Sequence, residues 1–136
     1  MRFKKEEINK KLTNLFSSKA EIILAYLFGS TAEGKAHKFS DVDVAVYYKT
    51  NPSFKRHLQL INDICSILET DDVDVVNMNT ASPLIIHDIL SFGELLICRD
   101  DNLYVNLRTR TLREFDDLVH ILRIQGKYIF GEAING

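Results

Sequence analysis

The stretch that most constrains this chain is Gly29-Ser30, ten intervening positions, then Asp41-Val42-Asp43. An apolar run, IILAYLF at residues 22–28, leads into the glycine, and Val42–Val46 continues from the first aspartate. Both runs have the length and composition of buried strands. A glycine ending one strand and an Asp-x-Asp opening the next bring a small hydroxyl, backbone amides and two carboxylates into one cleft. Within the second run, Asp41, Asp43, Ala45 and Tyr47 share one face, and Val42, Val44 and Val46 share the other. Two carboxylates on one face repel each other, and one of them tends to keep a proton. A divalent cation removes that conflict, and hard oxygen ligands select Mg²⁺ or Mn²⁺. The grouping suits a nucleoside triphosphate held through metal. An Asp-x-Asp alone is more often a turn cap beside a solvated side chain; the strands and the Gly-Ser spacing lift this one above that reading.

A third carboxylate is expected on a neighbouring strand. Asp71, Asp72 and Asp74 are the candidates in DDVDVVN, residues 71–77. Asp74 sits deepest in the apolar run, where a charge without a counter-ion is expensive; Asp71 and Asp72 read as edge or turn residues. Gly29 lets the backbone approach a phosphate with no Cβ in the way. Ser30 offers a hydroxyl and an amide, and the helix start expected after it adds orphan N–H groups. The chain has no P-loop. Lys35 and Lys38 in the connecting loop could meet phosphates, although loop lysines are usually only solvated.

Periodicity sets the remaining elements. Ile8, Leu12, Leu15 and Phe16 predict a helix over 4–16, and residues 31–36 a short one. A helix follows Asn51-Pro52-Ser53 to about Leu68, with Leu58, Ile61, Ile64, Cys65 and Leu68 as its apolar stripe. A strand over 72–78 precedes Ser82-Pro83, a strong helix start, with that helix ending near Gly93. Glu94–Cys98 reads as a short strand. From Asp101 a long helix carries Leu103, Leu107, Leu112, Phe115, Leu118, Val119 and Leu122, with a fray or bend expected at Gly126. The order αβαβαβαβα predicts an α/β fold, a small mixed sheet with packed helices.

At 136 residues the chain suits a single domain, 1–136, able to bury about two-thirds of its unfolded surface. A net charge of −2 gives no basic field for direct nucleic-acid binding. No apolar run approaches a membrane span, and Met1-Arg2-Phe3-Lys4-Lys5 does not lead into a signal core. Cys65 and Cys98, far apart and in apolar settings, read as reduced core thiols of a cytoplasmic protein.

The Gly-Ser-x10-Asp-x-Asp spacing resembles the signature of the DNA polymerase β-like nucleotidyltransferase superfamily. The phrase GSTAEGKAHKFSDVDVAV is most similar to its minimal nucleotidyltransferase branch. The resemblance spans nearly the whole chain and implies a polymerase β-like fold. It further implies two-metal transfer of a nucleoside monophosphate, AMP from ATP, with Mg²⁺ held by Asp41, Asp43 and Asp74. Asp74 would also help deprotonate the attacking hydroxyl, with Asp72 as the alternative. Gly29, Ser30 and Lys38 would hold the nucleotide, and Ser40 would orient Asp41. Relatives carry an arginine soon after the Gly-Ser pair; Thr31 and Glu33 stand there in this chain. Many such proteins are antitoxins to a HEPN-domain toxin, and some transfer AMP to a tyrosine of that partner. Alternative roles are an antitoxin that acts by contact alone, or an enzyme modifying a small molecule such as an antibiotic.

Other signals are weaker. His37, His57, His87 and His120 show no ligand spacing, and Arg113 with His120 reads as a surface pair. Tyr47 and Tyr48 either pack or stack on a base. Tyr128-Ile129-Phe130 ends the core stripe or forms a docking patch.

Overall fold

The computed structural model describes residues 3–29 and 41–135, with side chains up to 126. The short helix expected over 31–36, and Ser30, Lys35, His37, Lys38 and Ser40, lie outside the described residues.

The elements run α1 (Lys5–Ser17), β1 (Ile22–Phe28), β2 (Val42–Tyr48), α2 (Phe54–Leu68), β3 (Val73–Asn77), α3 (Pro83–Phe92), β4 (Glu94–Cys98) and α4 (Asp101–Asn135). The four strands form one sheet in the order β3-β2-β1-β4. β1 is antiparallel to both β2 and β4, whereas β2 and β3 are parallel. A parallel pair needs a crossover, and α2 provides it.

Strand alternation divides the core into two layers. Ala25, Leu27, Val42, Val44 and Val46 face Ile8, Leu12 and Phe16 of α1 and Leu60, Ile64 and Leu68 of α2. Leu24, Tyr26 and Ala45 face Ile86 and Ile89 of α3 and Leu107 of α4. The stripe of α2 therefore differs from the expected one: Leu60 takes a buried place and Leu58 is exposed. On α4, Thr111 is buried and Leu112 exposed. α4 also runs through Gly126 without ending; one glycine costs a helix only about 1 kcal/mol. Cys65 and Cys98 are free thiols, each partly buried.

Serine caps start the two crossover helices. The Ser53 side chain accepts from Arg56 N–H on α2, and Ser82 accepts from Ile85 N–H on α3, where Pro83 occupies the first turn. α3 ends at Gly93, where the backbone becomes extended, and a Cβ there would come within 2.5 Å of Ile89 C=O and 3.1 Å of the Tyr26 ring.

The C-terminal end of β2 is pinned by side chains. Asn79 behaves as a short extra strand, its Oδ1 accepting from Tyr48 N–H at 2.9 Å and its Nδ2 donating to Tyr48 C=O at 3.0 Å. His57 Nε2 lies 3.3 Å from Val75 C=O, which fixes the proton on that nitrogen and leaves Nδ1 to accept from the Tyr48 hydroxyl at 2.8 Å. Burial, helped by Glu21, pushes the Tyr48 phenol up to about 12. The folded chain thus keeps a proton that the unfolded chain releases near pH 10. This stability is complete below that pH and is lost as pH rises toward 12. Tyr48→Phe is expected to cost about 1 kcal/mol at neutral pH and to flatten the fall in stability between pH 10 and 12, as read by urea melts.

Candidate active site

The C-terminal end of β1 and the N-terminal ends of β2 and β3 meet at one end of the sheet. Phe28 is the register partner of Asp43 across the antiparallel pair, and Asp74 is the register partner of Asp43 across the parallel pair. Register partners on adjacent strands lie about 4.8 Å apart and project to the same face. Asp43 and Asp74 are therefore neighbours, although 31 positions apart in the chain. Asp41 precedes β2 on the same face.

Asp72 sits just before β3, its C=O accepting from Val42 N–H at 2.8 Å and its own N–H donating to Thr70 Oγ1 at 3.1 Å. That bond ties the two strand starts together. Asp74, not Asp72, stands opposite Asp43.

Burial raises the pKa of the Asp43 carboxyl above the ordinary carboxylate value, and Asp74 and then Asp41 push it further the same way. The three carboxylates thus share one electrostatic neighbourhood. The expectation that Asp74 is deeply buried is not met: it is exposed, on the edge strand. Asp43 is the partly buried member.

Gly29 completes the corner. It has φ +73°, the left-handed region, and a Cβ built on it would overlap Asp43 Oδ2 and lie 3.2 Å from Asp43 Cγ. Only glycine lets the backbone turn this closely against the carboxylate.

Among the described residues no three His, Cys, Asp or Glu side chains enclose a metal site unaided. Mg²⁺ does not require such a cage, since one or two carboxylates plus phosphate oxygens and water hold it. An all-oxygen pair, Asp43 and Asp74, with Asp41 alongside and mutual repulsion to relieve, fits that ion.

A separate cavity lies elsewhere. Its volume is about 600 Å³, and Tyr47, Asn106, Arg110 and Arg113 help line it at the opposite end of β2. Tyr47 is about 13 Å along the strand from Asp43, and Tyr48 is buried in the His57 contact, so Tyr48 packs. His57 and Asn79 gave no sign in the sequence, because their partners, Val75 C=O and the Tyr48 hydroxyl for His57 and the Tyr48 backbone for Asn79, are brought up only by the fold.

Comparison with known proteins bears on the family and the fold. A family model described as Polymerase beta, Nucleotidyltransferase matches residues 10–102. Protein adenylyltransferase MntA of Shewanella oneidensis is 31% identical over 98 residues, covering 71% of this chain and 70% of the relative. A crystal structure of a toxin-antitoxin with AMP-PNP is similar at TM-score 0.71 and 23% identity, over 93% of this chain and 98% of that one. A structure of tri-AMPylated Shewanella oneidensis HEPN toxin in complex with MNT antitoxin is similar at TM-score 0.66 and 20% identity, over 96% and 98%.

Proposed function

Because this chain belongs to the polymerase beta nucleotidyltransferase family, we propose that it transfers AMP from ATP to a hydroxyl of a HEPN-domain toxin and so acts as that toxin's antitoxin. The observation that carries the reading is the corner where Asp43 and Asp74 stand in register with Gly29 closed against Asp43. The curated relative is named a protein adenylyltransferase, and the similar structures come from toxin–antitoxin complexes.

The acceptor oxygen attacks the α-phosphorus of ATP, a P–O bond forms, and pyrophosphate leaves with the electrons of the bond that breaks. Asp41, Asp43 and Asp74 would hold Mg²⁺; when bound, it neutralises phosphate charge and lowers the pKa of the acceptor hydroxyl. Gly29 brings backbone within reach of the phosphates, and Ser30 and Lys38 are the further contacts proposed for them. Asp74, exposed at the sheet edge, is open to an incoming hydroxyl and takes its proton. No protein nucleophile is required, because such transfer depends on position and charge. No described helix is long and apolar enough to cross a membrane, and the proposed site of action is the cytoplasm.

The test is to incubate the chain with Mg²⁺, labelled ATP and a HEPN-domain protein from the same source, then weigh the partner intact. A gain of one or more adenylate units is expected, and it disappears with Asp41→Asn plus Asp43→Asn. Full neutralisation by that double variant supports inhibition by contact alone. Label transferred to an antibiotic and not to the protein supports the small-molecule enzyme.

A further inference from the structure

The core-facing stripe of α4 does not stop where the core stops. Leu107, Thr111, Phe115, Leu118 and Leu122 follow one another at helical spacing and lie on one face. Leu107 and Thr111 are buried. Phe115 stacks on His87 of α3, with ring centroids 3.7 Å apart and planes at 7°. Leu118 is half-buried. Leu122 is 50% exposed, as is Ile121 beside it, and Ile124, next to Ile121 around the helix, is 56% exposed. Every residue from His120 to Gln125 is open. The face that seals the inner half of α4 thus continues outward, with no other described part of the chain over it. Ile129 falls seven positions beyond Leu122, extending the same spacing.

The comparisons separate α4 from the catalytic fold. The nucleotidyltransferase family match ends at residue 102, where α4 has just begun. The chains taken from toxin–antitoxin complexes match 93% and 96% of this chain, so most of the 35-residue helix has a counterpart in them. The added helix is therefore common to chains that work beside a protein partner.

Resting on the function proposed above, we propose that the outer half of α4, centred on Leu118, Ile121 and Leu122, is the docking arm for the HEPN-domain partner. The partner lays an apolar helical surface of its own along the open stripe. Docking keeps the acceptor hydroxyl at high effective concentration near the carboxylates. The arm therefore governs affinity for the protein acceptor and not for ATP.

The experiment uses the full chain and the HEPN-domain protein of the transfer test. Ile121→Glu with Leu122→Glu is expected to weaken the complex by at least about 30-fold in calorimetry. KM for the acceptor should rise, with Mg·ATP binding and Tm unchanged. Ile121→Ser with Leu122→Ser repeats the test without adding charge, should the glutamates disturb the helix. Val105→Glu, exposed on another side of the same helix, should bind as wild type does. Undiminished binding by both double variants overturns the docking arm and leaves the transfer reading standing. No complex with the wild-type chain overturns both. Loss of binding on Asp41→Asn plus Asp43→Asn, with the α4 variants binding normally, places the partner in the catalytic cleft and overturns the arm. A wild-type dimer that the α4 variants turn to monomer, with partner binding intact, overturns it in favour of a second copy.

Discussion

Asp43→Asn is expected to slow adenylate transfer on the order of 10³-fold and, in the same protein, to raise the melting temperature at neutral pH without metal. The two effects have one cause. Asp43 lies partly buried between Asp74 and Asp41, and all three influences raise its pKa. A carboxyl raised in the folded state favours folding while it is protonated. That contribution is complete below the unfolded value, about 3.9, and is lost as pH rises through the folded value. At pH 7 the ionised side chain is therefore a burden on the empty fold, and asparagine removes it. Calorimetry in chelator at pH 3.5, 5 and 7 should show the variant's advantage shrinking as pH falls. Added Mg²⁺ should stabilise the wild type more than the variant. A variant less stable than wild type at pH 7 in chelator would mark Asp43 as a structural residue.

Gly29→Ala is the second large effect. At φ +73° a side chain costs about 1–2 kcal/mol from backbone crowding alone. The new methyl would also occupy the place of Asp43 Oδ2. Either the turn opens or the carboxylate rotates away, and in the proposed site a displacement of about 1 Å is enough to slow transfer. We expect a loss of about 2 kcal/mol in urea melts and a fall in transfer on the order of 10²-fold. Wild-type turnover in an otherwise destabilised variant would make Gly29 a turn residue with no share in the site.

Much of this was legible in the chain because its strands are short apolar runs closed by turn residues. Ile22–Phe28 and Glu94–Cys98 match the expected bounds at both ends. The faces of β2 followed from strict alternation. The helices were less determined: α2 offers apolar residues on two ridges, and only packing against α1 and the sheet selects Leu60 over Leu58. Thr111 bears a hydroxyl and does not look like core, yet it falls on the stripe between Leu107 and Phe115 and is buried. Asp74 was found in place but not in environment. Valines on both sides suggested burial, whereas the sheet order puts β3 at an edge. Register across a parallel crossover leaves no local mark in sequence, so the pairing of Asp43 with Asp74 could only be expected.

That pairing also gives the chain a way to reject its own misfolded forms. A shift of β3 by one residue against β2 would exchange its faces. Asp74 would then be driven in among the apolar side chains beneath α1 and α2, where an ion is costly, and Val75 would be stranded at the open corner. The carboxylate proposed for the chemistry thus doubles as an alignment mark: a register error that takes it from the corner is also one that the fold cannot easily tolerate.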